Sequence, residues 1–146
     1  MIKILIKRLS TDVVLPKYET IGSSGMDLAA YIETNINLEP GKSIVISTGL
    51  SVAIPQGFEI QIRPRSGLAV KKKISVLNTP GTIDADYRGE IKVILINLGN
   101  NPFLIENGLR IAQMVVCPII KAQLVEVKDL DNTIRGQGGF GSTGTK

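Results

Sequence analysis

Three stretches of this chain concentrate side chains able to do chemistry. Arg63-Pro64-Arg65-Ser66-Gly67-Leu68-Ala69 sets a guanidinium and a hydroxyl beside a glycine, between a strand-like run and a short helical one. Helix N-terminal N–H groups, an arginine and a serine together suit an anion. The same residues also fit a serine N-cap beside a solvated arginine, and the stretch alone leaves both open. Asn78-Thr79-Pro80-Gly81-Thr82-Ile83-Asp84-Ala85-Asp86-Tyr87-Arg88-Gly89-Glu90 gathers an Asn, a Tyr and two Asp carboxylates. That density suits a recognition loop, although Asp and Gly are equally at home in an ordinary hairpin turn. Arg135 through Gly144 offers successive glycine N–H groups of the kind that wrap phosphate oxygens. A Gly-rich end is also the usual composition of a mobile terminus, but Arg135 and Phe140 are residues a linker does not need.

The chain has no histidine and a single cysteine, Cys117. It therefore cannot build a Ser–His–Asp or Cys–His unit, a zinc site of the His/Cys type or an internal disulfide. Acid–base chemistry falls to carboxylates, Lys, Tyr or a metal-bound water, and an Asp is the natural base for activating water. Two nucleotide motifs are decoys. Gly41-Lys42-Ser43 resembles the end of a P-loop, but the required first glycine falls on Ile36. Gly136, Gly138 and Gly141 match G-x-G-x-x-G without the following helix that a dinucleotide fold needs. Lys71-Lys72-Lys73 fits a solvated face or a cluster that steers polyanions.

The elements that must position these groups are short strands. Phe58, Ile60 and Ile62 alternate with Glu59, Gln61 and Arg63, and Ile2, Ile4 and Ile6 share that period. Further β-branched runs lie at Ile44 to Ile46, Ile74 to Leu77, Ile91 to Leu98, Arg110 to Val116 and Leu124 to Val127. Turn chemistry separates them at Glu39-Pro40-Gly41, Pro55-Gln56-Gly57, Leu98 to Pro102 and Glu106-Asn107-Gly108. The pattern predicts an all-β sandwich, jelly roll or barrel with one short helix over 66–73. Ile91 to Leu98 is apolar on both faces, so it is either a covered central strand or a strand meeting another subunit. With 146 residues, one domain over 1–130 and a Gly-rich tail over 131–146 are expected.

The charge is +4, hydrophobic residues make up 43% and aromatics only 4%, so Ile, Val and Leu must fill the core. No apolar run approaches the ~20 residues of a membrane span. The basic start is interrupted by Lys3 and Lys7 and reads as a strand rather than an export signal. With one cysteine, it predicts a reducing cytoplasm.

Taken together, Gly25-Met26-Asp27-Leu28-Ala29-Ala30, the Arg63 stretch, Asn78 through Glu90, Arg110-Ile111-Ala112-Gln113-Met114 and Arg135 through Gly144 resemble, in order, the five motifs of the trimeric deoxyuridine triphosphatases. The resemblance implies a jelly-roll-like subunit in a homotrimer, with active sites shared between subunits and each tail closing over a neighbour's pocket. It implies hydrolysis of dUTP to dUMP and pyrophosphate. Asp84 would orient and deprotonate the water that strikes the α-phosphorus. Asp27 would hold waters around Mg²⁺, and Arg65, Ser66, Gly67 and Gln113 would contact phosphates, while Arg110 braces strands. Asn78, Gly81, Thr82, Ile83 and Lys92 would read uracil, with Tyr87 under the deoxyribose rejecting a 2′-hydroxyl. Phe140 would stack on the base, Arg135, Ser142 and Thr143 would hold the γ-phosphate, and Gly141 would also contact the substrate. Met26 stands where many relatives have an aromatic and Thr82 where an aliphatic is commoner; neither removes a reacting group.

Two alternatives differ in their needs. A deoxycytidine triphosphate deaminase of the same fold usually has a second serine where this chain has Gly67, and lacks the tail. A small basic β protein binding single-stranded nucleic acid needs aromatic platforms, and six aromatics in all argue against it. The expected partner is therefore a nucleotide, neither nucleic acid nor membrane.

Overall fold

The period-two runs become strands because each has a partner to complete its backbone hydrogen bonds and a face to bury. The computed structural model describes residues 2–139. Its ten strands are β1 (Leu5–Arg8), β2 (Gly25–Ala29), β3 (Ile36–Leu38), β4 (Ser43–Ala53), β5 (Phe58–Arg63), β6 (Ile74–Val76), β7 (Gly81–Ile83), β8 (Glu90–Asn97), β9 (Phe103–Ile105) and β10 (Arg110–Pro118). One helix, α1 (Ser66–Lys72), interrupts them. The strands form two four-stranded antiparallel sheets, β1-β4-β8-β6 and β2-β10-β5-β7, with a β3-β9 pair beside them.

The core lies between the two sheets. Ile46, Leu50 and Val52 of β4 and Ile91, Val93 and Leu95 of β8 are buried from one side. Leu28 of β2, Ile60 and Ile62 of β5 and Met114 of β10 meet them from the other. Each such side chain contributes roughly 1.5–3 kcal/mol relative to leaving it in water. Asn97, fully buried, ties the layers to the loops: Nδ2 donates to Leu38 O and Asn101 O at 2.8 Å, and Oδ1 accepts from Gly99 N at 2.9 Å.

The turns fall where Gly and Pro predict them. Gly57 and Gly108, with φ of 85° and 80°, adopt the left-handed backbone that other residues avoid. Helix α1 stops one residue short of its expected end, and Lys73 caps it with φ 60°. Strand β8 is central, between β4 and β6, but the described residues do not cover both of its faces. Its outer row, Ile94 and Ile96, is only half-buried beside the exposed Val45 and Leu77.

Three expectations need correction. The segment 78–90 is not a simple hairpin. Strands β6 and β8 do pair, Ile74 with Asn97 and Val76 with Leu95, but β7 between them crosses to the opposite sheet and pairs with β5. The first strand covers only Leu5–Arg8, because only that stretch lies along β4. Leu124 to Val127 forms no strand: no neighbouring strand among the described residues completes its hydrogen bonds, and Leu124 and Val125 remain exposed. The last strand, β10, ends at Pro118.

Candidate active site

Strand register builds the first half of the site. In the second sheet β10 lies between β2 and β5, which sets Gln113 opposite both Asp27 and Arg63. Arg65 emerges just past β5 and folds back onto Asp27. Its Nε donates to Oδ1 at 2.8 Å and its Nη2 to Oδ2 at 3.2 Å, a two-pronged pairing that fixes the plane of the guanidinium. Arg110 Nη1 reaches the same Oδ2 at 3.1 Å and Glu19 Oε1 at 3.5 Å. Arg65 Nη1 also donates to Arg110 O at 3.2 Å. Asp27 and Glu19 together offset the two guanidinium charges, so what this corner offers a ligand is a set of fixed N–H donors rather than net charge.

Gln113 is set by its own contacts. Nε2 donates to Pro64 O at 3.0 Å, and a Cβ on residue 25 would lie 2.3 Å from Oε1, so Gly25 makes room for the amide. Gln61, Arg63, Ser66, Thr79, Pro80 and Gln113 line a concavity of about 550 Å³. Arg65, rather than Ser66, occupies the N-cap of α1, and no side chain caps the helix, so the Ser66 hydroxyl is not used for capping.

The second half is the turn after β7. Tyr87 N donates to Asp84 O at 3.1 Å, and Arg88 Nη1 donates to Ala85 O and Tyr87 O at 2.7 and 2.9 Å. These bonds hold the Asp84–Tyr87 turn while both side chains face outward. The Asp84 carboxylate is exposed and has no side-chain partner among the described residues. It lines a concavity of about 570 Å³ with Gln56, Asp86, Arg88, Ile119 and Lys121.

The two halves lie apart within one chain. Ile83 pairs with Ile60, which sets Asp84 level with Glu59, whereas Arg65 lies beyond the opposite end of β5. At ~3.3 Å per strand residue the separation is on the order of 15–20 Å. Asn78 packs beside Gly81, its Nδ2 3.2 Å from where a Cβ on Gly81 would sit. Thr82 is exposed beside the half-buried Ile83. Lys92 belongs to β8 in the other sheet, 3.8 Å from Glu90 Oε2, and lines neither concavity. Gly67 lies in the first turn of α1 with open space around it. Arg135 is exposed, its Nε donating to Gly138 O at 2.9 Å. Phe140, Gly141, Ser142 and Thr143 lie outside the described residues.

Sequence reasoning gave no site role to Glu19, Gly25, Gln61 or Arg63, although Gly25 and Arg63 lie within the motifs it singled out. Glu19 sits in a loop without periodicity, and only the register reveals that Gly25 backs Gln113.

Known proteins align with both halves. A family model described as dUTPase matches residues 11–144. The deoxyuridine 5'-triphosphate nucleotidohydrolase of Hydrogenobaculum sp. is 55% identical over 144 residues, covering 99% of each chain. That of Brucella melitensis is 59% identical over 133 residues, covering 90% of this chain and 85% of its own. Among solved structures, the dUTPase of Staphylococcus bacteriophage 80alpha with dUPNHPP superposes with TM-score 0.84 at 28% identity, over 98% of this chain and 99% of that one. A point mutant of the same phage enzyme with dUpNHpp reaches TM-score 0.88 at 26% identity, with the same coverage. With its matched segment spanning both halves of the site, the chain belongs to the dUTPase family.

Proposed function

We propose that this protein hydrolyses dUTP to dUMP and pyrophosphate in sites shared between the subunits of a homotrimer. What supports this is the strand register, which sets Asp84 and Arg65 at opposite ends of β5, roughly 15–20 Å apart in one chain. That spacing favours drawing the base at the α-phosphorus and the phosphate-binding arginine of one site from different copies. A face for assembly is available: on the outer side of the first sheet Val45 and Leu77 are exposed and Ile94 and Ile96 only half-buried.

Asp84 takes a proton from water as its oxygen attacks the α-phosphorus, and pyrophosphate leaves from the opposite side. An unpaired, exposed carboxylate at the rim of a concavity is free to accept that proton. On the second copy, Arg65, Ser66, Gly67 and Gln113 take the phosphates, each charge-assisted bond contributing roughly 1.5–3 kcal/mol. Asn78, with the edges of Gly81, Thr82 and Ile83, pairs with uracil, while Tyr87 packs under the deoxyribose and leaves no room for a 2′-hydroxyl. Lys92 is the least supported member of the base-reading set, given its place in the other sheet. From the tail, Phe140 stacks on the base while Arg135, Gly141, Ser142 and Thr143 close over the phosphates.

The donors also suit Mg²⁺. No group of three or more carboxylates, His or Cys forms a cage among the described residues. Asp27 is already shared between two arginines. That set fits an ion carried by the substrate's phosphates, with Asp27 reaching its waters, since Mg²⁺ keeps several waters and few protein ligands. When bound, it would offset charge on the phosphate oxygens. No helix among the described residues is long and apolar enough to cross a membrane. The lone Cys117 suits a reducing compartment such as the cytoplasm.

Incubation with Mg²⁺ and each of dUTP, dCTP, dTTP and UTP tests the proposal. Pyrophosphate from dUTP alone is expected, from a species three times the 15.7 kDa chain mass. Ammonia from dCTP, or full turnover by a monomer, would overturn it.

A further inference from the structure

Gly89 is a glycine without a conformational reason to be one. It is absent from the glycines with positive φ, so its backbone is open to any residue. Space explains it instead. A Cβ at position 89 would lie 2.3 Å from Tyr87 Oη, 2.5 Å from Cζ and 2.9 Å from Cε2. The phenol ring therefore rests on the bare Cα of Gly89, and its Oη donates to Glu90 O at 2.9 Å.

The neighbouring backbone has little freedom to yield. Arg88 ties the chain to Ala85 O and Tyr87 O at 2.7 and 2.9 Å. Glu90 pairs with Ser51 on β4, and its Oε1 accepts from Gly49 N at 2.9 Å. The ring, 43% exposed, is the softer partner. Restoring ordinary carbon contacts of ~3.5 Å would push it outward by roughly 1 Å and break its bond to Glu90 O.

We propose that Gly89 is a positioning residue that seats Tyr87 and thereby sets the discrimination between deoxyribo- and ribonucleotide triphosphates. This rests on the assignment of Tyr87 to the sugar, made above. The ring excludes a 2′-hydroxyl only while it lies close to the sugar, and Gly89 fixes how deep it lies. The atoms nearest a Cβ at position 89 are all in the Tyr87 ring, so its effect is expected to pass through Tyr87.

The test compares kcat/KM for dUTP and UTP in the full-length Mg²⁺-loaded enzyme and in Gly89→Ala, Tyr87→Ala and the double variant. Gly89→Ala is expected to lower the dUTP/UTP ratio about tenfold or more, the scale at which a pocket senses one small group. Tyr87→Ala is expected to lower it further, and the double variant to match Tyr87→Ala alone. A wild-type ratio in Gly89→Ala, or losses that simply multiply in the double variant, would overturn the seat. A wild-type ratio in Tyr87→Ala would instead overturn the sugar assignment, and the seat with it. One measurement needs no variant: cross-relaxation between the Gly89 Hα protons and the Tyr87 ring protons of the native enzyme. Its absence would overturn the proposal even if Gly89→Ala fails to fold.

Discussion

The corner around Asp27 and the turn around Asp84 are built in opposite ways. At the corner, groups from β2, β10 and the chain beyond β5 converge on one carboxylate, and both its oxygens are engaged. At the turn, the backbone is braced by Arg88 but the Asp84 carboxylate has no side-chain partner among the described residues. The difference follows from the task of each. An arginine that meets a triphosphate must already point at it, since ordering a loose guanidinium would cost part of the binding energy. A base must keep a lone pair free to accept its proton. Asp27 and Asp84 are thus the same side chain in two hydrogen-bonding settings.

The largest break in this contrast comes from Asp84→Asn. It keeps shape and hydrogen-bonding capacity but removes the acceptor, so kcat is expected to fall by about 10²–10⁴-fold. dUTP affinity, read by calorimetry, should stay within a few-fold of wild type. Unimpaired turnover would remove Asp84 from the chemistry and make the turn a mere binding edge.

Asp27→Asn attacks the other side. Arg65 and Arg110 would lose the charge that holds them, though an amide oxygen could still accept one bond. The loss of about 1.5–3 kcal/mol in charge-assisted bonding corresponds to roughly 10–150-fold in kcat/KM for dUTP. Because the pair is partly exposed, solvent screening places the result toward the lower end. If kcat/KM held while thermal stability fell, the corner would be structural scaffolding and not a phosphate site.

The contrast was only partly legible in the amino-acid sequence. Alternating Ile and Val, punctuated by Gly and Pro, marked most strands, because a half-buried strand must show that period. Which strands pair was not marked: nothing local in Gly81-Thr82-Ile83 tells it to leave β6 and β8 for the edge beside β5. The β-branched run at 124–127 misled for the same reason, since propensity cannot supply a partner. Family resemblance named Asp27, Arg65, Gln113 and Asp84, but the clamp on Asp27 exists only once β2, β5 and β10 are in register. Gly25 and Gly89 stay invisible at the sequence level, because what they provide is an empty place filled by a residue elsewhere in the chain.

The smallest expected effect tests where the corner ends. Glu19 lies 3.5 Å from Arg110 Nη1, and both side chains are about half in water. Such pairs contribute roughly 0–1 kcal/mol and weaken with salt. Arg110 keeps its 3.1 Å bond to Asp27 without Glu19, so Glu19→Gln should leave kcat/KM for dUTP within about twofold at moderate salt. A larger loss, recovered in neither low nor high salt, would mean that Glu19 aims Arg110, and through it Asp27. The braced region would then extend into the loop before β2, and the corner would be organised from outside the sheet.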